Sequence, residues 1–364
     1  MERKREMASQ ADTKFNGLLL GMALGDALGL PREGLSRTRA KKIFGNGPLH
    51  HQFFLGRGMI SDDTEHACMT AQAILSSHGE PAAFATSLAW RLRWWLLGIP
   101  AGIGWATLRA ILKLWCGFPP SRSGVWSAGN GPTMRAPILG AWAPASGKDA
   151  SVCRTLVEVS TCITHTDPRA AEGAIVLAVL TGIAFSEGPG GLAYEHALER
   201  LLSCIAGTEL QQHLKRMKPL LQRGDSVKAF AGELGLMNGV SGYVNHTVPI
   251  AVYAALRWPE DFRRAVEDAI NLGGDTDTVG AIVGGIVGAA LGPGGIPAEW
   301  RAGLMEWPRS SRWIHSLSRQ LAQSTTQASL QRPAPLFWPG LLLRNIAFTI
   351  IVLFHGVRRL LPPY

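Results

Sequence analysis

The chain has 364 residues, 46% hydrophobic and 17% charged, enough apolar side chain to bury a sizeable core in one large domain or two. Its net charge of +9 gathers at the ends: residues 1–60 carry ten Lys and Arg against five acids, and residues 301–364 carry eight against one. No specific nucleic-acid-binding motif accompanies those basic ends, so composition argues against a sequence reader and for solvated surface. Five cysteines, odd in number and without a C-x-x-C pair, argue against a disulfide framework or a zinc knuckle. Residues 1–16 are charged and lack an apolar stretch, so no secretory signal is expected and a reducing, cytoplasmic setting is the default.

In chain order, the first element is a helix over 17–29 with Gly17, Gly21, Gly25 and Gly29 at four-residue intervals. Glycine destabilises a helix by about 1 kcal/mol per position relative to alanine, so four on one face are best explained by a neighbouring helix that packs closely. Ser61-Asp62-Asp63-Thr64 then opens an apolar helical run, and helical periodicity recurs over 84–97, 170–183, 193–206 and 247–256. Asp275-Thr276-Asp277-Thr278 opens a second glycine helix, with Gly280, Gly284, Gly288 and Gly292 at the same interval. Alternation that would signal strands is scarce, and the body is expected to be all-α.

Residues 321–335, rich in Gln, Ser, Thr and Pro, are expected to link a domain over 14–320 to a tail helix over 336–364. The tail is strongly apolar, but Arg344 sits near its middle and Arg358-Arg359 near its end. Its uninterrupted apolar run falls short of the roughly 20 residues a membrane span needs. Three placements stay open: an interfacial helix in weak contact with a membrane surface, a helix packed on the protein itself or, least favoured, a true span.

The two acidic clusters carry the chemistry. They hold four carboxylates and several hydroxyls, all hard oxygen donors that suit Mg²⁺ or Mn²⁺ and not zinc. Carboxylates crowded into one site repel unless a cation neutralises them. Each cluster also has a plain explanation, because Asp and Thr cap helices and complement the helix dipole. If the fold brings the clusters together, a two-metal hydrolytic centre follows. Between them lie Gly129-Asn130-Gly131, first of all a turn signal, and Thr164-His165.

The ordered set, Gly25-Asp26-Ala27-Leu28-Gly29 with Glu33, then Ser61-Asp62-Asp63-Thr64, Gly129-Asn130-Gly131 with Met134-Arg135, Thr164-His165 and Gly273-Gly274-Asp275-Thr276-Asp277-Thr278, resembles the ADP-ribosylglycohydrolase family. The resemblance runs from about Gly17 to Gly292. It implies a compact orthogonal multi-helix bundle with a centre of two Mg²⁺ or Mn²⁺ ions. It also implies hydrolysis at C1″ of the distal ribose of an ADP-ribosylated substrate. By motif, Ser61, Asp62, Asp63, Asp275, Asp277 and Thr278 look like the metal ligands, and Glu33, Asp62 and Asp277 the catalytic carboxylates. Ser61 stands where many members have threonine. Ser127, Gly129 and Asn130 match the loop that holds the diphosphate and ribose, His165 a pocket histidine, and Tyr243 a segment beside the pocket. Asn245-His246 departs from the acidic residue more usual there, and the tail lies outside the family pattern. The rim that selects the acceptor is expected in loops 34–60 and 117–126. The alternatives are a hydrolase of another phosphate or nucleoside compound, a non-catalytic ADP-ribose-binding or toxin-neutralising protein, and a structural protein.

Overall fold

A computed structural model describes residues 2–326 and 331–362, and among these the regular structure is almost all helix. The N-terminal part contains α1 (Glu2–Gly29), α2 (Arg37–Phe44), α3 (Asp62–Ser77), α4 (Pro81–Leu97), α5 (Trp105–Trp115) and the single turn α6 (Pro120–Ser123). The central part contains α7 (Ala136–Ala145), α8 (Ala150–Cys162), α9 (Pro168–Glu187), α10 (Tyr194–Ser203), α11 (Glu209–Arg223) and α12 (Val227–Glu233). The last third contains α13 (Val244–Arg257), α14 (Phe262–Ile270), α15 (Thr276–Leu291), α16 (Ala298–Gly303), α17 (Ser311–Thr326) and α18 (Trp338–Arg358). The helices expected from periodicity are α4, α9, α10 and α13.

The two glycine helices turn out to be partners. They run antiparallel, so that Gly17 faces Gly288, Gly21 faces Gly284 and Gly25 faces Gly280. A Cβ placed on Gly21 would lie 2.1 Å from the Gly284 carbonyl oxygen, so a side chain cannot occupy this seam. The seam is wholly buried and brings the C-terminus of α1 beside the N-terminus of α15. Helices α3, α7, α9, α13, α14 and α17 pack on this pair, and α9, whose length and hydropathy would suit a membrane span, is largely covered by the core.

What little sheet there is lies at one end of that pair. β1 (Leu35–Ser36) pairs antiparallel with β2 (Gly273–Gly274), and Val240 bridges the other side of Gly274. Gly129 bridges Tyr243, and Val125 bridges His165. These short ladders stitch together loops from five parts of the chain.

The linker starts later than expected. α17 continues to Thr326 because Leu321, Ala322 and Ser324 face the core and are buried. Residues 327–330 lie outside the described residues, and 331–337 run without regular structure to α18. The tail helix packs on the body. Arg344 is buried and pairs with Glu306 at 2.8 Å, the guanidinium also donates to the Ile60 carbonyl, and Asn345 donates to the Gly98 carbonyl at 2.7 Å. Phe348 joins Leu30, Phe53 and Met59 in a small cluster of its own. Arg344→Ala is expected to destabilise the protein by about 3 kcal/mol, since it strands the Glu306 carboxylate in the interior. Limited proteolysis checks this: cleavage around 331–337 should accelerate in the variant.

Candidate functional site

Asp26, on the last turns of α1, organises the acidic end. It is fully buried, and its carboxylate accepts from the backbone N–H of Ser61 at 2.9 and 3.0 Å and of Thr64 at 3.2 Å, and from the Thr64 hydroxyl at 2.5 Å. An acid on α1 thus satisfies free N–H groups at the start of α3, a task usually done by a residue within the capped helix itself. Burial raises its pKa to about 7, against the pull of those hydrogen bonds. Ser61 is the N-cap residue of α3, its hydroxyl accepting from the Asp63 N–H at 3.3 Å.

The two acidic clusters meet across 215 residues of sequence. The Thr278 hydroxyl donates to Asp63 Oδ2 at 3.2 Å, and the Ser61 hydroxyl donates to the same oxygen at 3.2 Å. Asp63 Oδ1 is buried with no protein partner. Glu33, just past α1, lies close enough to Asp277 for its charge to raise the Asp277 carboxyl. Burial, then repulsion from neighbouring acids, pushes Asp62, Asp63 and Asp277 well above the ordinary carboxylate range. Glu33 is raised as well, by desolvation of its carboxyl and then by Asp275, although the residue as a whole stands exposed at the cleft mouth. Such a group holds protons, or gathers a cation, at neutral pH.

Asp275 is placed by the backbone before it. Gly273 and Gly274 have φ of +82° and +84°, and a Cβ on Gly274 would lie 1.9 Å from the Val240 carbonyl oxygen. Only glycine can pass between Leu35-Ser36 and Val240, and this pinch presents Asp275 to the Asn130 amide, which donates to it at 2.5 Å. Asn130 also donates to the Thr247 hydroxyl at 2.9 Å.

A cleft of about 530 Å³ opens above these acids. It is lined by Glu33, Asp62, Asp63, Asp275, Asp277 and Thr278 together with Ser127, Gly129, Asn130 and His165. The His165 ring lies against the turn: a Cβ on Gly129 or Gly131 would fall 3.2 or 2.9 Å from its atoms. Burial, and then the Arg135 guanidinium, push His165 down to about 3, so the ring is neutral. Thr164 Oγ1 lies 2.9 Å from His165 Nδ1 and accepts from Arg135 at 2.6 Å, which fixes the ring.

Two expected residues are placed differently. Ser61 does not line the cleft; it lies beneath, bonded to Asp26 and Asp63. Tyr243 contributes backbone to the Gly129 bridge, but its hydroxyl turns away and donates to Glu209 at 2.6 Å. The rim also differs. Only Gly34 of 34–60 and none of 117–126 lines the cleft, which is walled instead by Gly102, Gly104, Trp105, Ala106 and Thr107. Asp26 carried a readable signal, a lone acid within an otherwise apolar glycine-spaced helix. The Gly102–Thr107 wall carried none, because its place depends on how α4 and α5 pack. The tail reaches this end too: Arg359 donates to the Pro31 carbonyl at 3.2 Å, two residues before Glu33.

The donors are all oxygen, one buried carboxylate oxygen lacks a partner, and the acids repel one another, which together fit hard divalent cations. Among the described residues no three Asp, Glu, His or Cys side chains close around one point, so the acids ring the cleft without chelating.

Comparison with known proteins agrees with this geometry. Residues 7–330 match the family model of ADP-ribosylglycohydrolase. A protein of Archaeoglobus fulgidus named only as uncharacterized is 31% identical over 81% of this chain and 92% of its own. The ADP-ribosylhydrolase ARH3 of Xenopus tropicalis is 27% identical over 88% of this chain and all of its own. The ADP-ribosylarginine hydrolase Tri1 of Pseudomonas putida is 28% identical over 87% and 80%. A solved structure described as an ADP-ribosylglycohydrolase-related protein complex superposes with a TM-score of 0.59 at 28% identity, covering 87% of this chain and 99% of that one. The acidic cleft and its neighbouring turn therefore sit on a known scaffold, and the chain belongs to the ADP-ribosylglycohydrolase family.

Proposed function

We propose that the cleft hydrolyses the bond between ADP-ribose and an acceptor, at C1″ of the distal ribose, with two Mg²⁺ or Mn²⁺ ions. The observation that carries this is the convergence of both acidic clusters, Glu33, the Gly129–Gly131 turn and His165 on one cleft. Its volume falls in the range of small-molecule sites, roughly 300–1,000 Å³.

Asp62, Asp63, Asp275, Asp277 and Thr278 would hold the cations, with Ser61 supporting them from beneath. Bound there, such ions supply Lewis acidity and lower the pKa of water. The chain's own groups do the rest. Glu33, raised by burial of its carboxyl and then by Asp275, can hold a proton and pass it to the departing acceptor. The remaining negative charge favours the oxocarbenium character that develops as the bond breaks. The turn at 129–131 and the neutral His165 would stand beside the diphosphate, the Gly129 and Asn130 N–H groups being already held by the Ser127 hydroxyl and the Gly242 carbonyl. The complete acid set favours turnover over a pocket that only binds.

The test is release of ADP-ribose from arginine-, serine- and nucleic-acid-linked substrates in Mg²⁺, Mn²⁺ or EDTA. Cation-dependent release from one class establishes the reaction and its acceptor; binding of ADP-ribose without any release overturns it. Glu33→Gln should lower kcat about a hundredfold or more while leaving ADP-ribose affinity within a few-fold, read by turnover and calorimetry.

A further inference from the structure

Helix α18 is apolar on both faces. Its inner face is pinned to the body through Arg344, Asn345 and Phe348. Its outer stripe, Leu343, Ile346, Ile350, Leu353, Phe354 and Val357, recurs at three- and four-residue spacing and is open to solvent, with Phe354 69% exposed. Single exposed leucines are ordinary, but a stripe about four turns long without one polar member is not.

Three neighbours extend it. Trp94 packs edge-on against Trp338 with centroids 5.8 Å apart, and Trp90 packs on Trp94, both exposed. Beside the other half of the helix, Phe53 stacks on His355 and Phe348, and the tight turn that follows lifts Leu55 to 86% exposure. The charge around this end is mainly positive, although Glu33 lies near Arg359. Residues 34–60 contain Arg37, Arg39, Lys41, Lys42 and Arg57 and no acid, and no acid follows Glu306. The Arg39 guanidinium donates to the Arg359 carbonyl, so α2 and its cations adjoin the end of α18.

We infer that this face docks on an anionic phospholipid surface. An apolar stripe with tryptophans at its edge and cations at its end is what a helix lying in the headgroup–acyl boundary requires. A second copy of this chain would bring the same cations against these and be repelled, whereas anionic headgroups attract them along the whole face. The buried Arg344–Glu306 pair and the Asn345 bond hold α18 along the body, so the helix lies on the bilayer and does not cross it. Residues 99–105 join this face directly to the wall of the cleft, which keeps the cleft close to whatever the helix rests on. The inference does not depend on the reaction proposed above.

The experiment is sedimentation of the full chain with phosphatidylglycerol/phosphatidylcholine vesicles and with phosphatidylcholine vesicles alone. The comparison is a double variant, Ile350→Glu with Leu353→Glu, whose side chains are exposed and whose melting is checked by circular dichroism. The expected result is pelleting with the anionic vesicles, weakened by salt, and about tenfold or more weaker in the variant. Three results would overturn it: no pelleting with anionic vesicles, equal pelleting by a folded variant, or a wild-type dimer that the variant turns into a monomer without any vesicle binding.

Discussion

Asp63→Asn is expected to reduce ADP-ribose release on the order of a thousandfold, while the EDTA-treated variant melts no lower than EDTA-treated wild type. The substitution keeps the shape of a side chain that is almost fully buried and still meets the Ser61 and Thr278 hydroxyls, but it removes one charge from the crowd. Without cations that charge is a liability, since burial and then Asp62, Asp26 and Asp275 all press the Asp63 carboxyl toward its protonated form. The sign of the pH dependence follows. The folded carboxyl keeps its proton at pH values where the unfolded one has lost it, so stability in EDTA falls as pH rises above the ordinary carboxylate range. Asp63→Asn should flatten that fall. Added Mg²⁺ or Mn²⁺ should raise the melting temperature of wild type, because a ligand of the folded state alone stabilises it, and raise that of the variant less. Undiminished activity, or an equal cation-induced shift in the variant, would sink the assignment of Asp63.

Gly25→Ala should be among the most damaging small substitutions in the chain, destabilising it by at least about 4 kcal/mol. Its Cβ would lie 1.9 Å from the Gly280 carbonyl oxygen, an overlap with backbone that no rotamer relieves. To accept it, α1 and α15 must separate where Asp26 holds the start of α3 and Thr276 donates to the Gly29 carbonyl at 2.8 Å, so activity should fall with stability. A denaturant titration measures the loss. Gly47→Ala is the control, because nothing lies within 4 Å of that position and it should stay within about 0.5 kcal/mol of wild type. Equal midpoints for the two variants would show that the seam tolerates a methyl group.

Much of the site was readable before folding because its residues sit at helix starts. Residues of a first helical turn stand beside free N–H groups, so Asp62, Asp63, Asp277 and Thr278 gather at the N-termini of α3 and α15, which Ser61 and Asp275 open. The glycine spacing likewise required a close neighbour, although it did not say that each glycine helix is the other's. Tyr243 and Ser61 were harder. Each lies within two residues of a group that does face the cleft, and sequence spacing cannot tell which way a loop side chain turns. The rim was misplaced for a similar reason: a wall built from 102–107 depends on the angle at which α5 leaves α4, which neither helix encodes alone.

The tail shows the same division. Its apolar residues at helical spacing, and the interruption by Arg344, were plain in the chain, but whether that arginine faced water, lipid or protein depended on Glu306 reaching the same spot. By itself the sequence determined the helices, the oxygen-rich chemistry and the family, because periodicity, capping and donor type are local properties. Only the tertiary structure decided that Asp26 anchors α3, that a glycine seam brings the two acidic clusters together, and that α18 turns one apolar face inward and leaves the other uncovered. Those outcomes are set by pairs of groups distant in sequence, whose close packing or burial makes one arrangement far more favourable than the rest.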